Sequence, residues 1–201
     1  MKIMFVEAGN KEKLNLEKLK ELEKKLPPII YIAYSIQYKN LAEEIKKSIK
    51  KKVAGFSQVL GCSKIKTSSP ILLISSGRFH AINLALQGNK VYIFDNFSIR
   101  EIDSKEIEII KKKEKAKYLK LLSSDNIGII VSIKDGQENL KSAEKIKEQL
   151  EKKGKKASIF VSDNINPQEL ENFSCDIWIN TACPGLSLDS DKIINQNYAK
   201  F

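Results

Sequence analysis

Short apolar runs rich in β-branched residues alternate along the chain with longer stretches in which apolar residues recur at helical spacing. Within each short run the apolar residues are continuous, which is typical of strands covered on both faces by helices. The pattern therefore predicts an α/β protein with parallel sheets. The predicted strands are Ile3 to Val6, Ile29 to Tyr34, Ile71 to Ile74, Val91 to Phe94, Ile127 to Val131, Ala157 to Val161 and Ile177 to Ile179.

Amphipathic helices are predicted between these strands, each with one apolar stripe. The stripes are Leu19, Leu22 and Leu26; Leu41, Ile45 and Ile49; and Leu140, Ala143, Ile146 and Leu150. Gly154 follows the last stripe and precedes a strand, which is the position of a C-terminal helix cap. A Lys/Glu-rich helix from Glu106 to Leu122 indicates a connector, so we expect two consecutive Rossmann-like α/β domains, residues 1–100 and 101–201.

Composition adds limits on the compartment and the class of protein. The chain has 201 residues, 42% of them hydrophobic, with no apolar run near the ~18 residues that a membrane span needs. Its first residues lack the apolar stretch and cleavage site of a signal peptide, so we expect a cytoplasmic protein. Cys62, Cys175 and Cys183 are too few and too scattered for a disulfide framework.

The chain is basic, with 35 Lys and Arg against 25 Asp and Glu, a formal net charge of +10. The lysines are mixed with glutamates on the polar faces of predicted helices, as in the stretch from Lys111 to Lys115, and no RNA-binding signature accompanies them. This distribution favours a solvated surface over a nucleic-acid interface.

Candidate chemistry lies in the loops that follow strands, because ligands of open parallel sheets bind at the carboxyl ends of the strands. Ser75 to His80 follows one strand and opens a helix. Gly77 permits close backbone approach, the helix start supplies free N–H groups, and Arg78 offers a fork for a carboxylate or phosphate. His80 is the single histidine, and from the residues alone a structural role for it competes with acid–base chemistry.

Two further loops have the same position. Ser132 to Gln137 follows another strand and precedes a helix, and both an ordinary turn and an anion site fit it. Asn180 to Gly185 follows the last predicted strand and contains Cys183, while Cys62 lies in a Gly-flanked loop. Neither cysteine has a CxxC partner, so spacing alone predicts no metal site.

Four stretches, taken together and in order, resemble the archaeal diphthamide synthases and their eukaryotic relatives. They are Gln58-Val59-Leu60-Gly61-Cys62, Ser76-Gly77-Arg78-Phe79-His80, Ile129-Ile130-Val131-Ser132 with Gly136-Gln137, and Asn180-Thr181-Ala182-Cys183-Pro184. The resemblance implies a fold of three similar α/β domains, each contributing one cysteine to a [4Fe–4S] cluster, of which this chain carries the second and third. Cys62 and Cys183 match the second and third ligands.

The family's chemistry is implied by the same resemblance. It is cleavage of the Cγ–S bond of S-adenosylmethionine and addition of the 3-amino-3-carboxypropyl radical to a histidine of translation elongation factor 2, the first step of diphthamide biosynthesis. Three thiolates leave one iron open to substrate. Beside the cysteines, the expected cofactor-binding residues are Gly77, Arg78, His80 and Gln137, with Arg78 as the partner of the substrate carboxylate.

The sequence also departs from the family pattern. The family's first domain, with its cysteine, should precede Met1, but the stretch from Lys2 to Lys52 already resembles the start of the second domain. At the other end, Ile193 to Tyr198 resembles the family's terminal strand region. Gly185 and Ala81 replace a usual arginine and proline. Cys175 matches no family motif. Three alternatives explain the missing first domain: a split enzyme whose first domain is a separate polypeptide, a shortened paralogue that supports a catalytic partner, and a truncated gene.

Three functional hypotheses follow. The first is a transferase component that acts with a protein supplying the missing domain and third cysteine, or as a homo- or heterodimer. The second is a non-catalytic subunit that binds a full-length homologue or elongation factor 2. The third is an RNA- or nucleotide-binding module, for which steep salt dependence of binding would be the mark.

Overall fold

The computed structural model describes residues 13–199, so the predicted strand from Ile3 to Val6 lies outside the described residues. The chain divides into two compact units, Met1–Ile107 and Glu108–Phe201. The sequence divides it near residue 100, whereas the structure places the boundary inside the helix predicted as a connector. The first turn of that helix belongs to the first unit, because Ile107 is buried and Glu106 pairs with Arg78.

The first unit contains a five-stranded sheet in the order β2-β1-β3-β4-β5. Strands β1 to β4 are parallel, and β5 pairs antiparallel with β4. The elements in chain order are α1 (Leu16–Lys25), β1 (Ile29–Tyr34), α2 (Lys39–Ser48), β2 (Lys52–Gln58), β3 (Ile71–Ile74), α3 (Arg78–Leu86), β4 (Val91–Phe94), β5 (Ile99–Glu101) and α4 (Ser104–Ser123), which continues into the second unit.

Strands β1, β3 and β4 confirm the sequence prediction residue for residue. The sequence missed β2 and β5. Strand β2 lies at the edge of its sheet and is only partly buried, so it lacks a continuous apolar run, and Gly55 within it faces the ring of Tyr31. Strand β5 has three residues and follows a turn at Asp95–Ser98, in which Asn96 has a φ of 74°.

The core of the first unit lies between one face of its sheet and the helices α1 and α2. Leu22, Ile30, Ile45 and Phe94 are completely buried there. The apolar stripes predicted for α1 and α2 supply the helical side of this core. Helix α3 packs against β4, and its buried residues lie outside this core.

The second unit contains a four-stranded, fully parallel sheet in the order β7-β6-β8-β9. The terminal strand region, which the sequence identifies by resemblance, forms the edge strand of this sheet. Gly154 lies three residues after the last helix ends and has a φ of 78°, and its N–H donates to the carbonyl oxygen of Glu151 at 2.9 Å, as expected for a cap. The elements are β6 (Asn126–Ser132), α5 (Leu140–Glu151), β7 (Lys156–Ser162), β8 (Ile177–Asn180) and β9 (Ile193–Asn195).

The two faces of the second sheet are covered differently. One face packs against α5 and the end of α4, around Ile127, Ile129 and Ile179. On the other face Trp178 packs against Phe160 and Phe173, with ring centroids 4.7 Å and 6.0 Å away. The sequence expects helices on both faces. The connection from β7 to β8 forms only a 3-10 turn, Glu169–Asn172, so aromatic rings take the helix's place.

The fold class predicted from the sequence, α/β with parallel sheets flanked by helices, is confirmed. Within residues 13–199, no helix is both long enough and apolar enough to cross a membrane. Because β1, β2, β3 and β4 run in one direction, the loops after them meet at one edge of the first sheet. The same holds for the loops after β6, β7, β8 and β9 in the second.

Candidate functional site

Two buried hydroxyl groups lie at the carboxyl edge of the first sheet. Ser35 follows β1 and Ser75 follows the neighbouring β3, and their Oγ atoms are 3.2 Å apart. The Oγ of Ser75 also accepts a hydrogen bond of 3.2 Å from the N–H of Gly77. This contact fixes the backbone that leads from β3 into α3, the segment in which the sequence predicts the cofactor-binding residues.

Helix α3 begins at Arg78, with Gly77 as its N-cap. The first N–H groups of a helix have no partner within it, so they are available to an anionic group. The guanidinium of Arg78 is 62% exposed and forms an ion pair of 2.5 Å with Glu106. A carboxylate ligand of Arg78 must therefore compete with Glu106, a residue that the sequence analysis did not connect with this site.

His80 lies in the first turn of α3 and is partly buried. Burial lowers the pKa of His80 below its ordinary value of 6.5, so the imidazole is neutral at pH 7. Its Nδ1 atom is buried and makes no hydrogen bond to any of the described residues, 13–199. A Cβ at residue 77 would stand 3.6 Å from this atom, so the imidazole faces the loop that precedes the helix. A buried imidazole nitrogen in this position can accept a proton or a hydrogen bond from a ligand.

Cys62 is exposed in a turn shortly after β2. Helix α3 supports this turn directly: the Nδ2 of Asn83 donates to the carbonyl oxygen of Gly61 at 2.7 Å. Gln87 donates from its Nε2 to the carbonyl oxygen of Ser63 at 2.9 Å. The ring of Phe79 lies against Gly61 so closely that any side chain at residue 61 would overlap it.

The turn after β4 completes this edge of the first sheet. Burial acts to raise the pKa of Asp95, but the N–H groups of Ser98 and Phe97, the Ser98 hydroxyl and Arg100 together hold that pKa below its ordinary value of 3.8. The side chain of Asn96 is buried, and it donates to the carbonyl oxygen of Lys13 at 2.9 Å. These contacts make the turn a rigid border of the site.

Cys183 is partly buried, three residues after β8 ends, and it is followed by a 3-10 turn, Pro184–Ser187. The buried side chain of Asn180 donates to the carbonyl oxygen of Cys183 and to the Oδ1 of Asn195, both at 2.7 Å. Asn195 in turn donates to the carbonyl oxygen of Pro184 at 3.0 Å. Side chains from β8 and β9 therefore fix the backbone around this cysteine.

Gln137 lies at the carboxyl edge of the second sheet, after β6, in a turn where Gly136 has a φ of 78°. Its N–H donates to the carbonyl oxygen of Lys134 at 2.9 Å. The sequence expects this segment to lead directly into a helix, but α5 begins three residues later, at Leu140. The left-handed conformation of Gly136 ends any helical geometry at that point.

Cys175 lies at the opposite, amino edge of the second sheet, directly before β8. Burial raises the pKa of its thiol, and the negative charge of Asp176 adds to the effect. It packs with Trp178 and Leu170 in the aromatic cluster. Cys175 and Cys183 are therefore separated by the length of β8, four residues or ~13 Å at the usual rise of a strand.

Across the described range, residues 13–199, no three His, Cys, Asp or Glu side chains form a group that could hold a metal ion. The two cysteines matched by resemblance lie in different units, Cys62 in the first and Cys183 in the second. Each is a single thiol in a loop after a strand.

Sequence reasoning missed the residues that hold these loops. Serine after two neighbouring buried strands is a visible signal for the pair Ser35 and Ser75. Asn83 on α3 and Gln87, the residue that caps its C-terminus, are four residues apart, which places them on one helical face. Asn180 ends an otherwise apolar strand, and a buried amide at that position must find hydrogen-bond partners.

Comparisons with known proteins agree on one family. A family model described as "Putative diphthamide synthesis protein" matches residues 1–198. The 2-(3-amino-3-carboxypropyl)histidine synthase of Pyrococcus horikoshii is 33% identical over 136 residues, which are 66% of this chain and 40% of that protein. The protein of the same name from Methanocaldococcus jannaschii is 32% identical over 166 residues, 80% of this chain and 46% of that protein.

Solved structures give the same result. The crystal structure of Dph2 from Pyrococcus horikoshii matches 91% of this chain and 60% of that chain, with a TM-score of 0.76 and 30% identity. The structure of the same protein with a 4Fe-4S cluster matches with a TM-score of 0.75 and 29% identity, over 91% of this chain and 59% of that chain. The chain thus spans less than half the length of the two curated relatives.

Proposed function

The chain belongs to the diphthamide synthesis protein family, and from that premise we propose that it is a component of a radical [4Fe–4S] transferase. The enzyme transfers the 3-amino-3-carboxypropyl group of S-adenosylmethionine to a histidine of translation elongation factor 2. The observation that carries the proposal is that cysteines matching the family pattern, Cys62 and Cys183, lie in loops near the carboxyl edges of their parallel sheets.

The two thiols fit such a cluster by their donor chemistry. Thiolates are the usual ligands of iron–sulfur clusters, and hydrogen bonds of nearby side chains fix the backbone around both cysteines. Cys62 and Cys183 would each hold one iron, and the third thiolate comes from outside the 201 residues, from a partner that supplies the family's first domain. When bound, the cluster supplies the reductive cleavage of S-adenosylmethionine.

The residues around α3 bind and orient the substrate in this proposal. Arg78 exchanges Glu106 for the substrate carboxylate, and the first N–H groups of α3 add hydrogen bonds to it. The neutral His80 offers its unpaired Nδ1 as an acceptor for the substrate ammonium group. The resemblance also assigns Gln137, in the turn after β6, to cofactor binding.

The alternative is a non-catalytic subunit that binds a full-length homologue or elongation factor 2. The absence of a three-ligand group within residues 13–199 is compatible with it. Retention of both cysteines favours the transferase, because a scaffold has no chemical need for either thiol.

The test is transfer of label from S-adenosylmethionine radiolabelled in its carboxyl group to elongation factor 2, under anaerobic conditions with dithionite. The chain is combined with a single-domain partner that carries the third cysteine. Full-length Pyrococcus horikoshii Dph2 serves as the positive control, and elongation factor 2 without the acceptor histidine as the negative control. We expect labelling that requires Cys62 and Cys183 but not Cys175.

Two outcomes would overturn the proposal. One is the absence of labelling by the combined proteins when the full-length control labels the same substrate. The other is stimulation of the full-length control by this chain to the same extent with and without Cys62, which would establish the scaffold function instead.

A further inference from the structure

Two oppositely charged residues are buried in the second unit, on the face of α4 that turns inward. The side chains of Glu114 and Lys117 are each only 5% exposed, and the Nζ of Lys117 lies 2.8 Å from the Oε1 of Glu114. Glu114, Lys117 and the buried Leu121 are three and four residues apart, so they lie on the same face of α4. The sequence placed the charged residues from Lys111 to Lys115 on a solvated surface, which is wrong for Glu114.

The pair makes further polar contacts with Ser187. The Nζ of Lys117 donates to the Ser187 carbonyl oxygen at 2.5 Å and to its Oγ at 3.1 Å. The Ser187 Oγ lies 2.6 Å from the Oε1 of Glu114 and 3.0 Å from the carbonyl oxygen of Ile193. Ser187 is the last residue of the 3-10 turn that begins next to Cys183.

Stability of the fold does not account for such a pair. Removing two charges from water costs several kcal/mol per ion, and replacing a buried pair with apolar residues of similar volume is often neutral or stabilising. The second carboxylate oxygen of Glu114, Oε2, is buried and has no hydrogen-bond partner in the part of the chain that the structure describes, which adds to the cost. What the pair provides is a fixed position for Ser187.

The turn from Cys183 to Ser187 is therefore held at both ends. Asn180 and Asn195 bind the carbonyl oxygens of Cys183 and Pro184 at its start. Glu114 and Lys117 hold Ser187 at the end of the turn, although they precede Ser187 by 73 and 70 residues in the sequence. Between them, Leu186 donates its N–H to the carbonyl oxygen of Cys183 at 3.1 Å.

We propose that Glu114 and Lys117 are positioning residues that hold the turn after Cys183 and thereby orient the Cys183 thiol. Neither touches the reacting groups; both act through Ser187. Their importance for cluster retention rests on the proposed function, whereas their effect on the turn does not.

The test uses the double variant Glu114→Leu/Lys117→Met, which removes both charges and leaves no unpaired one. Lys113→Met is the matched control on the same helix, because Lys113 is 62% exposed and lies 3.9 Å from Asp191 in a surface ion pair. Ser187→Ala removes the hydroxyl alone and replaces the double variant if that protein does not fold. Circular dichroism and thermal unfolding establish that each variant is folded.

Two readouts report on the turn directly. The first is hydrogen exchange of the Leu186 and Leu188 amides, whose acceptors are the carbonyl oxygens of Cys183 and Gly185. The second is the rate at which a disulfide reagent labels Cys183 in a background with Cys62→Ser and Cys175→Ala. In the double variant we expect both exchange and labelling to be faster by about tenfold or more, at a melting temperature close to that of the parent.

Unchanged exchange and labelling in a folded double variant would overturn the proposal, as would equal acceleration in Lys113→Met. Iron retention in the presence of the domain partner is measured in parallel. If the parent chain retains no iron but exchange and labelling are faster in the double variant, the role of Cys183 as an iron ligand is wrong, whereas the positioning role of Glu114 and Lys117 is supported. If the parent retains iron and the turn is unaffected, the positioning fails alone.

Discussion

The ring of Phe79 fills the space that a side chain at residue 61 would need, so the turn that carries Cys62 lies directly on α3. Phe79 belongs to the same helical turn as Arg78 and His80. One helix therefore presents the candidate substrate-binding residues and supports the loop of a candidate iron ligand. This contact explains why Gly61 precedes Cys62, because only glycine permits such close approach.

Gly61→Ala should destabilise the first unit by about 1–3 kcal/mol, the usual cost of forcing an extra group into a packed site. Urea unfolding followed by circular dichroism measures the loss. The substitution Phe79→Leu provides the rescue: a smaller side chain leaves room for the new methyl group, so the double variant should lose less stability than the sum of the two single variants. Strict additivity would contradict the contact.

His80 should make stability depend on pH between neutrality and mild acid. Its pKa is lowered in the folded protein from an ordinary value of 6.5, so below pH 6.5 the unfolded chain binds the proton more readily. Stability is then constant above this range and falls as the pH drops through it. The measurement is the urea midpoint at pH 7.5 and at pH 5.5.

The control for this prediction is His80→Gln, in which the difference between the two pH values should shrink. His80 is the single histidine. The carboxylates with lowered pKa are Glu21, with an ordinary value of 4.5, and Asp95 and Asp176, with ordinary values of 3.8, and all three contribute only at lower pH. An equal pH dependence in His80→Gln would show that another group is responsible.

Asn180→Ala should destabilise the second unit by about 1–3 kcal/mol, because it leaves the buried carbonyl oxygen of Cys183 and the Oδ1 of Asn195 without their donor. Asn164→Ala is the matched control, since Asn164 is exposed and its Oδ1 accepts a hydrogen bond from the Nζ of the exposed Lys134. Chemical unfolding of both variants measures the difference. Equal small effects would mean that Asn180 does not hold the turn.

Arg78 and Glu106 should have opposite effects on the binding of S-adenosylmethionine. Glu106→Gln removes the competing carboxylate and should tighten binding, whereas Arg78→Ala should weaken it about tenfold or more, the usual contribution of a charge-assisted hydrogen bond. Lys113→Met, which removes an exposed positive charge from α4, is the control. Titration calorimetry of the reconstituted protein with its partner measures all three, and weaker binding in Glu106→Gln would contradict the assigned role of Arg78.

The elements that could be predicted from the sequence are the buried strands. Strands β1, β3 and β4 are continuous apolar runs because both of their faces are covered, and the sequence located them to the residue. Strand β2 was not predicted, because an edge strand is only partly buried and needs no continuous apolar run. The charges of Glu114 and Lys117 could not be placed inside the protein from sequence, since their burial depends on Ser187, 70 residues beyond Lys117.

The candidate site divides in the same way. Arg78, His80 and Cys183 stand out by residue type after predicted strands, Cys62 lies in a Gly-flanked loop, and resemblance to the family gives all four residues roles. Glu106 and Asn83, which contact Arg78 and Gly61, lie on helices and carry no motif. Such contacts depend on how helices pack on the sheet, which a single sequence does not encode locally.

The most direct test of the account is the iron and sulfide content, with the visible absorption spectrum, after anaerobic reconstitution of the chain together with a partner that carries the third cysteine. We expect a cluster in the parent protein and in Cys175→Ala, and loss of iron and of the visible absorption in Cys62→Ala and in Cys183→Ala. Unchanged iron content in folded Cys62→Ala or Cys183→Ala would contradict it.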